Sequence, residues 1–215
     1  MHDPASHAPP SEAEETANTI SHGIGALLAV AALVVMVVAA ARTGDPWKIT
    51  AVSVHGASLV LLFTTSTVYH YASSPDAKAL LRILDHSAIY LLIAGSYTPF
   101  TLVTLRGPLG WTLFGVVWGL AVVGIVAKAK WIGRFEWVST ALYVGMGWLG
   151  VLAAGPLVEV LDPAGIRWLL AGGFFYTGGV GFFVWEALRY HHLIWHLFVI
   201  AGAACHFVAV LLYVV

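Results

Sequence analysis

Long unbroken stretches of apolar residues constrain this chain more than any other feature. They occupy about positions 20–41, 47–71, 84–105, 109–127, 137–160, 166–188 and 191–215. At about 1.5 Å of rise per residue, roughly 20 helical residues cross the hydrocarbon core of a bilayer, and each run reaches or nears that length. A barrel strand is about half as long and alternates with period two, which these runs do not. Composition agrees, with 60% hydrophobic and 10% charged residues against about 45–50% and about 25% for an ordinary soluble domain. So few charges cannot coat a water-facing surface, and the apolar surplus must face lipid. The expected fold is an all-α integral-membrane bundle of seven transmembrane helices over residues 20–215. That leaves a polar cytoplasmic tail at 1–19 and no room for a sizeable soluble domain.

The tail is acidic (Asp3, Glu12, Glu14, Glu15), has three prolines and lacks Lys and Arg, so its first dozen residues are expected to be disordered. An acidic leader before a full-length run indicates a retained span rather than a secretory signal. Turn residues such as Thr43-Gly44-Asp45-Pro46, Arg106-Gly107-Pro108, Asp162-Pro163 and a short Arg189-Tyr190 separate the runs. With the N-terminus inside, the inner loops hold Lys78, Arg82, Lys128, Lys130, Arg134 and Arg189, against Arg42, Lys48, Arg106 and Arg167 outside. This excess favours a cytoplasmic N-terminus and an external C-terminus. A net charge of −1 argues against a nucleic-acid partner, which needs a basic surface, and leaves membrane lipid as the expected partner. Cys205 has no second cysteine to pair with and reads as a small packing residue. Gly115-x-x-x-Gly119, Gly145-x-Gly147, Gly172-Gly173 and Gly178-Gly179-x-Gly181 read as sites of close helix packing.

The ten histidines equal Lys and Arg together. Ionisable groups inside spans are expensive and therefore point to function. An up-down chain brings His70 at the end of the second span, Asp85 at the start of the third, and His192 with His196 at the start of the seventh to one membrane face. Ser66 and His70 are four apart, as are His192 and His196, so each pair shares a helix face one turn apart. Three imidazoles with an open fourth position describe a catalytic zinc site. Asp85 can then act as general base toward a metal-activated water, and Ser66 can donate to a substrate carbonyl or orient a ligand ring. The competing reading of paired histidines at helix ends is interfacial capping or snorkelling. A second arrangement, two haems held by His55, His70, His192 and His206 at spacings of about 21–22 Å, leaves His196, Asp85 and Ser66 without a role. A retinal Schiff base needs a lysine that the last span lacks.

Three motifs in order carry a wider resemblance. They are Glu14-x-x-x-Asn18-x-x-x-His22; Ser66-x-x-x-His70 followed by Leu84-Asp85-His86-Ser87 and Gly95-Ser96-Tyr97-Thr98-Pro99; and His192-x-x-x-His196 with His206 behind it. The chain resembles the hemolysin III family, the bacterial branch of the progestin and adipoQ receptor superfamily. That resemblance implies seven helices with the N-terminus inside, in the bacterial cytoplasmic membrane. It further implies a zinc ion at His70, His192 and His196 with Asp85 reaching it through water, and kinship with membrane hydrolases such as alkaline ceramidases. His86 stands where animal receptors tend to have Tyr. The family name records red-cell lysis, which supports an alternative: a non-enzymatic lytic, pore-forming or receptor-like protein in which zinc only joins helices. For Glu14, Asn18 and His22 two readings stand, a cap and polar anchor of the first helix or a supporting shell beside the metal. His55 and His206 lie too deep to reach that metal.

Overall fold

The computed structural model describes residues 10–131, 133–134 and 136–215. The tail histidines His2 and His7, and residues 1–9 of the dozen expected to be disordered, lie outside them, whereas Ser11 and Glu12 of that dozen form the cap and first residue of a helix. Helix α1 (Glu12–Thr43) begins ahead of the first apolar run because Ser11 closes a capping box. Its hydroxyl accepts from the Glu14 N–H, and the Glu14 carboxylate accepts from the Ser11 N–H at 2.9 Å. The 32 residues of α1 span about 48 Å, so its acidic first turns can stand clear of a hydrocarbon core of about 30 Å. Asp45 and Pro46 start α2 (Pro46–Tyr71), the Asp45 carboxylate accepting from the Trp47 N–H at 2.8 Å. α3 (Pro75–Pro99) continues as a π turn over Phe100–Thr104, where Pro99 has no N–H to offer. α4 (Pro108–Trp131) follows.

The run expected as one helix over 137–160 is broken. α5 (Glu136–Trp148) passes through a 3-10 segment, Leu149–Ala153, into α6 (Ala154–Val160). Pro156 cannot donate to the carbonyl one turn back, and its ring crowds that carbonyl. Tyr97 of α3 holds the loosened backbone. Its hydroxyl reaches the carbonyls of Met146 and Gly147 at 3.0 and 2.8 Å and accepts the Gly150 N–H at 2.8 Å. α7 (Pro163–Phe183) ends short of the boundary expected at Leu188, and residues 184–190 turn the chain into α8 (His191–Tyr213). Tyr190 adopts a left-handed backbone at φ 58°, and Glu14 holds its N–H at 3.0 Å.

Among the described residues, six segments are long and apolar enough to cross a bilayer: α1, α2, α3 with its π turn, α4, α5 through α6, and α8. α7 has the length, at 21 residues, but six of them are glycines, which lower its hydropathy. No strand occurs among the described residues. α1 packs on α2, α2 on α3, α3 on α4 and α7 on α8, and α8 returns to α1, whereas α5 and α6 touch their neighbours sparsely. Leu59, Leu62, Phe63, Leu92 and Val199 form the core beneath one end of the bundle, and Met36, Val52, Phe100 and Val210 fill the other. Leu27, Val123, Leu152 and Phe174 are exposed on the outside, as a lipid-facing surface requires. The glycines divide into two groups. A Cβ at Gly172 or Gly179 would strike a side chain of α8, so these do permit close packing. Gly115, Gly119, Gly145, Gly147 and Gly181 face open space instead, so the close packing expected there is not made among the described residues.

Candidate metal centre

The starts of α1, α3 and α8 and the end of α2 meet at one end of the bundle. α1 supplies Glu15, Asn18, Ser21 and His22, α2 supplies Ser66 and His70, α3 supplies Asp85 and His86, and α8 supplies His192 and His196. Spacing of four turns each pair on α2 and α8 to a common face. His70, His192 and His196 come together, with one ligand atom from each within 4.8 Å of the others. Ring centroids lie 5.0 Å apart for His70 and His192, 5.1 Å for His70 and His196, and 4.6 Å for His192 and His196.

Neighbouring groups decide which nitrogen each ring offers. A carboxylate only accepts, so the 2.6 Å contact of Glu15 Oε2 with His70 puts the proton on Nδ1 and leaves the lone pair on Nε2. That Nε2 is buried and has no partner. Ser21 donates its hydroxyl to the Asn18 carbonyl at 2.9 Å, so its oxygen is free to accept from His196 Nδ1 at 3.0 Å, which again leaves Nε2 for a ligand. Lys78 donates to the second Glu15 oxygen at 2.5 Å and fixes the carboxylate. Two rings are therefore held with a bare nitrogen directed away from their supports, as metal-binding histidines commonly are. The three imidazoles form a group that fits a metal ion.

The remaining expected residues have separate places. Ser66 meets His22 rather than a ring of the triad, at 2.7 Å from its Nδ1. His22 lies flat against His196, with centroids 3.4 Å apart and planes within 10°, and its buried Nε2 has no partner. Asp85 is buried, with His70 and Ser66 as electrostatic neighbours. His86 turns its Nδ1 back to the Arg82 carbonyl at 2.9 Å, and its own carbonyl accepts from Tyr143. Glu14 serves the Ser11 cap and the Tyr190 N–H, while the acid that touches a triad histidine is Glu15, with Ser21 as its counterpart on His196. The spacing Glu15, Asn18, His22 continues the buried face of α1 through Gly25, Ala29 and Met36. That phase was the signal for Glu15.

Two spaces flank the triad. On the outer side a polar vestibule is lined by Glu15, Lys78, Arg82 and Tyr190. On the inner side a cavity of about 280 Å³ runs down the bundle between α3, α5, α6, α7 and α8, with mostly apolar walls. His86 and His192 line both spaces. Asp85, Ser66 and His22 line the inner one, and so do Val151, Val158 and Leu170, which are exposed on the outer surface of the bundle. The cavity therefore runs from the triad toward the face that meets lipid. His55 is fully buried, with both ring nitrogens unpartnered. The rings of His70 and His192 are too close for a haem plane to lie between them.

These features define a multi-pass helical membrane protein with a buried three-histidine group at the junction of a polar vestibule and an apolar cavity. Residues 11–207 match the family described as Haemolysin-III related, and the chain belongs to it. It is 50% identical to Hemolysin-3 of Bacillus cereus, covering 94% of this chain and 92% of that one. It is 46% identical to the Hemolysin-3 homolog of Bacillus subtilis (strain 168), covering 94% and 95%. It is also 30% identical to the human Monocyte to macrophage differentiation factor over 92% of this chain and 83% of that one. This last likeness fits the place of the family within the progestin and adipoQ receptor superfamily.

Proposed function

We propose that this chain is a zinc-dependent membrane hydrolase that cleaves an amide or ester bond of a lipid, and that it crosses a bacterial cytoplasmic membrane seven times. The observation that carries the chemistry is the convergence of three histidines, two with their tautomers set by Glu15 and Ser21, beside a cavity lined by His192 and His196 together with Asp85 and Ser66. Zinc, when bound, supplies the Lewis acidity that makes water a nucleophile near neutral pH. Asp85 takes a proton from the attacking water as the new C–O bond forms. It returns that proton to the leaving nitrogen or oxygen as the old bond breaks. Ser66 can donate to the carbonyl oxygen only when His22 carries its own proton on Nδ1, so His22 sets the state of Ser66. The vestibule suits a polar headgroup, and the apolar cavity suits the chain attached to it.

Seven crossings are supported by the ends of the molecule. Glu14 near the start of α1 meets Tyr190 before α8, whereas Lys48 at the start of α2 donates to the Val215 carbonyl at 2.6 Å. First and last helices thus begin at the same end and the chain finishes at the other, which takes an odd number of crossings, with α7 as the seventh. The six Lys and Arg at the triad's end (Lys78, Arg82, Lys128, Lys130, Arg134 and Arg189), against four at the other (Arg42, Lys48, Arg106 and Arg167), favour the triad's end as the cytoplasmic one.

A second reading has its own support, because His70 and the His192/His196 pair stand on different helices, so an ion there would join α2 to α8. The deciding experiment loads purified protein with zinc and follows release of free fatty acid from ceramide and from phosphatidylglycerol in mixed micelles. Asp85→Ala is expected to retain zinc and lose about 10²–10⁴-fold in turnover. Zinc-loaded protein that turns over neither lipid, or an Asp85→Ala variant as active as its parent, would overturn the hydrolase and leave the joining role.

A further inference from the structure

Among the described residues, three line both the polar vestibule and the apolar cavity: His86, Phe183 and His192. A lipid with its headgroup in one space and its chain in the other passes its linking bond between them. Phe183 is apolar and His192 belongs to the triad, so His86 is the polar side chain at that passage that takes no part in the metal group.

The hydrogen-bonding character of His86 is readable. Its Nδ1 stands 2.9 Å from the Arg82 carbonyl, which can only accept, so Nδ1 carries the proton and Nε2 keeps a bare lone pair. That bond folds the Nδ1 edge of the ring back on α3 and turns the Nε2 edge away from the helix. The cations in electrostatic reach of the ring, Lys128 and Arg82, both donate to Glu136 instead. The Nε2 atoms of His22, His55 and His70 are enclosed without a partner. His86 Nε2 also lacks a partner among the described residues, but it is not enclosed, and the side chain, 12% exposed, opens on the two spaces. Tyr143 of α5 holds the position from the other side, its hydroxyl donating to the His86 carbonyl at 2.9 Å. Asp85 Oδ2 lies 3.7 Å from the His86 Nδ1, so the proposed base and this ring stand side by side.

We infer that His86 Nε2 accepts the N–H of a lipid amide at this passage, and so turns the site toward amides and away from esters. This rests on the hydrolase reading of the same site. An amide nitrogen brings its own proton for His86. Once water has added to the carbonyl carbon, its lone pair takes the proton that Asp85 removed from that water. The pair of the breaking C–N bond stays on nitrogen, which leaves as the amine carrying both protons. An ester oxygen has no proton of its own and meets Nε2 lone pair to lone pair, an arrangement that rejects it.

The test uses the full chain in nanodiscs, with displacement of a fluorescent fatty acid by oleoyl ethanolamide and by ethylene glycol mono-oleate, which differ only in NH for O. An Asp85→Ala background, expected to keep zinc and stop turnover, lets binding alone be read. The amide is expected to bind about fivefold more tightly than the ester, as one net hydrogen bond would give. His86→Phe keeps a ring without an acceptor and is expected to erase or reverse that preference. His86→Gln offers a carbonyl oxygen of its own and is expected to keep most of it. Equal binding of amide and ester overturns the inference, and so does a preference undiminished in His86→Phe, which would put the acceptor elsewhere. Loss of the preference in both variants overturns it too, because the shape of the ring and not its lone pair would then be what matters. Failure of both lipids to displace the probe overturns it together with the lipid-binding cavity. Binding is read whether or not the parent cleaves either lipid, so the hydrolase reading fails separately, in the turnover assay.

Discussion

The break between α5 and α6 and the polar end of α1, α2 and α8 both place polar groups where a membrane protein avoids them, and they treat those groups in opposite ways. At the break, one Tyr97 hydroxyl meets two carbonyls and an N–H, completing backbone groups that Pro156 and the 3-10 turn set loose. At the polar end, Glu15 and Ser21 complete only one nitrogen of each ring, and the His70 Nε2 stays buried without a partner. A buried polar group whose bonding is finished inside the chain holds the fold together, since leaving it unmet would cost the full desolvation penalty. One whose bonding is left unfinished on a shaped cavity is available to a ligand.

The sharpest way to break this contrast is to remove a ring from the unfinished set. Elemental analysis of detergent-purified protein is expected to find close to one zinc per chain, and His192→Ala is expected to bring it below a tenth. Equal zinc in parent and variant would place the ion elsewhere and erase the distinction. A smaller effect is expected from the groups behind the rings. Glu15→Gln keeps the shape but lets either tautomer of His70 form, and partners of this kind are worth about 10–100-fold in metal affinity. Competition against a zinc-sensitive dye should show that loss. Lys78→Met, which removes a partner of the far oxygen of Glu15 and of the Tyr69 ring but none of a triad ring, should change affinity far less.

How much of this was legible follows from the same geometry. Counting spans is enough to send His70, Asp85, His192 and His196 to one face, because alternation of direction does not depend on side-chain detail. The partners were harder. Whether Glu14 or Glu15 meets His70 depends on the rotation of α1 against α2, a difference of about 100° per residue that only the phase of Asn18, His22, Gly25 and Ala29 could have revealed. Ser21 was hidden for a similar reason, since its tie to His196 crosses from the first helix to the last. The break at residues 149–153 was signalled by Gly150, Gly155 and Pro156, yet an unbroken apolar run outweighed it. Tyr97, about six turns into α3 (97 − 75 = 22) in a Gly-Ser-Tyr-Thr-Pro motif, gave no sign in one dimension that it would serve the backbone of α5.

The smallest expected effect on the metal tests the finished region. Tyr97→Phe removes the hydroxyl and little else, leaving the carbonyls of Met146 and Gly147 and the Gly150 N–H without that partner. Thermal unfolding in detergent should report a loss of about 1–3 kcal/mol, the usual cost of a buried group left unmet. Zinc content should not move, because Tyr97 stands some 18 Å along α3 from Asp85 at 1.5 Å per residue (97 − 85 = 12). A variant as stable as its parent would mean that other groups satisfy the broken backbone, and zinc loss would mean that the break and the triad are coupled through the cavity wall. Either result would dissolve the division between a polar group that holds the fold and one that waits for a ligand. Retained zinc with reduced stability would place the two on opposite sides of it.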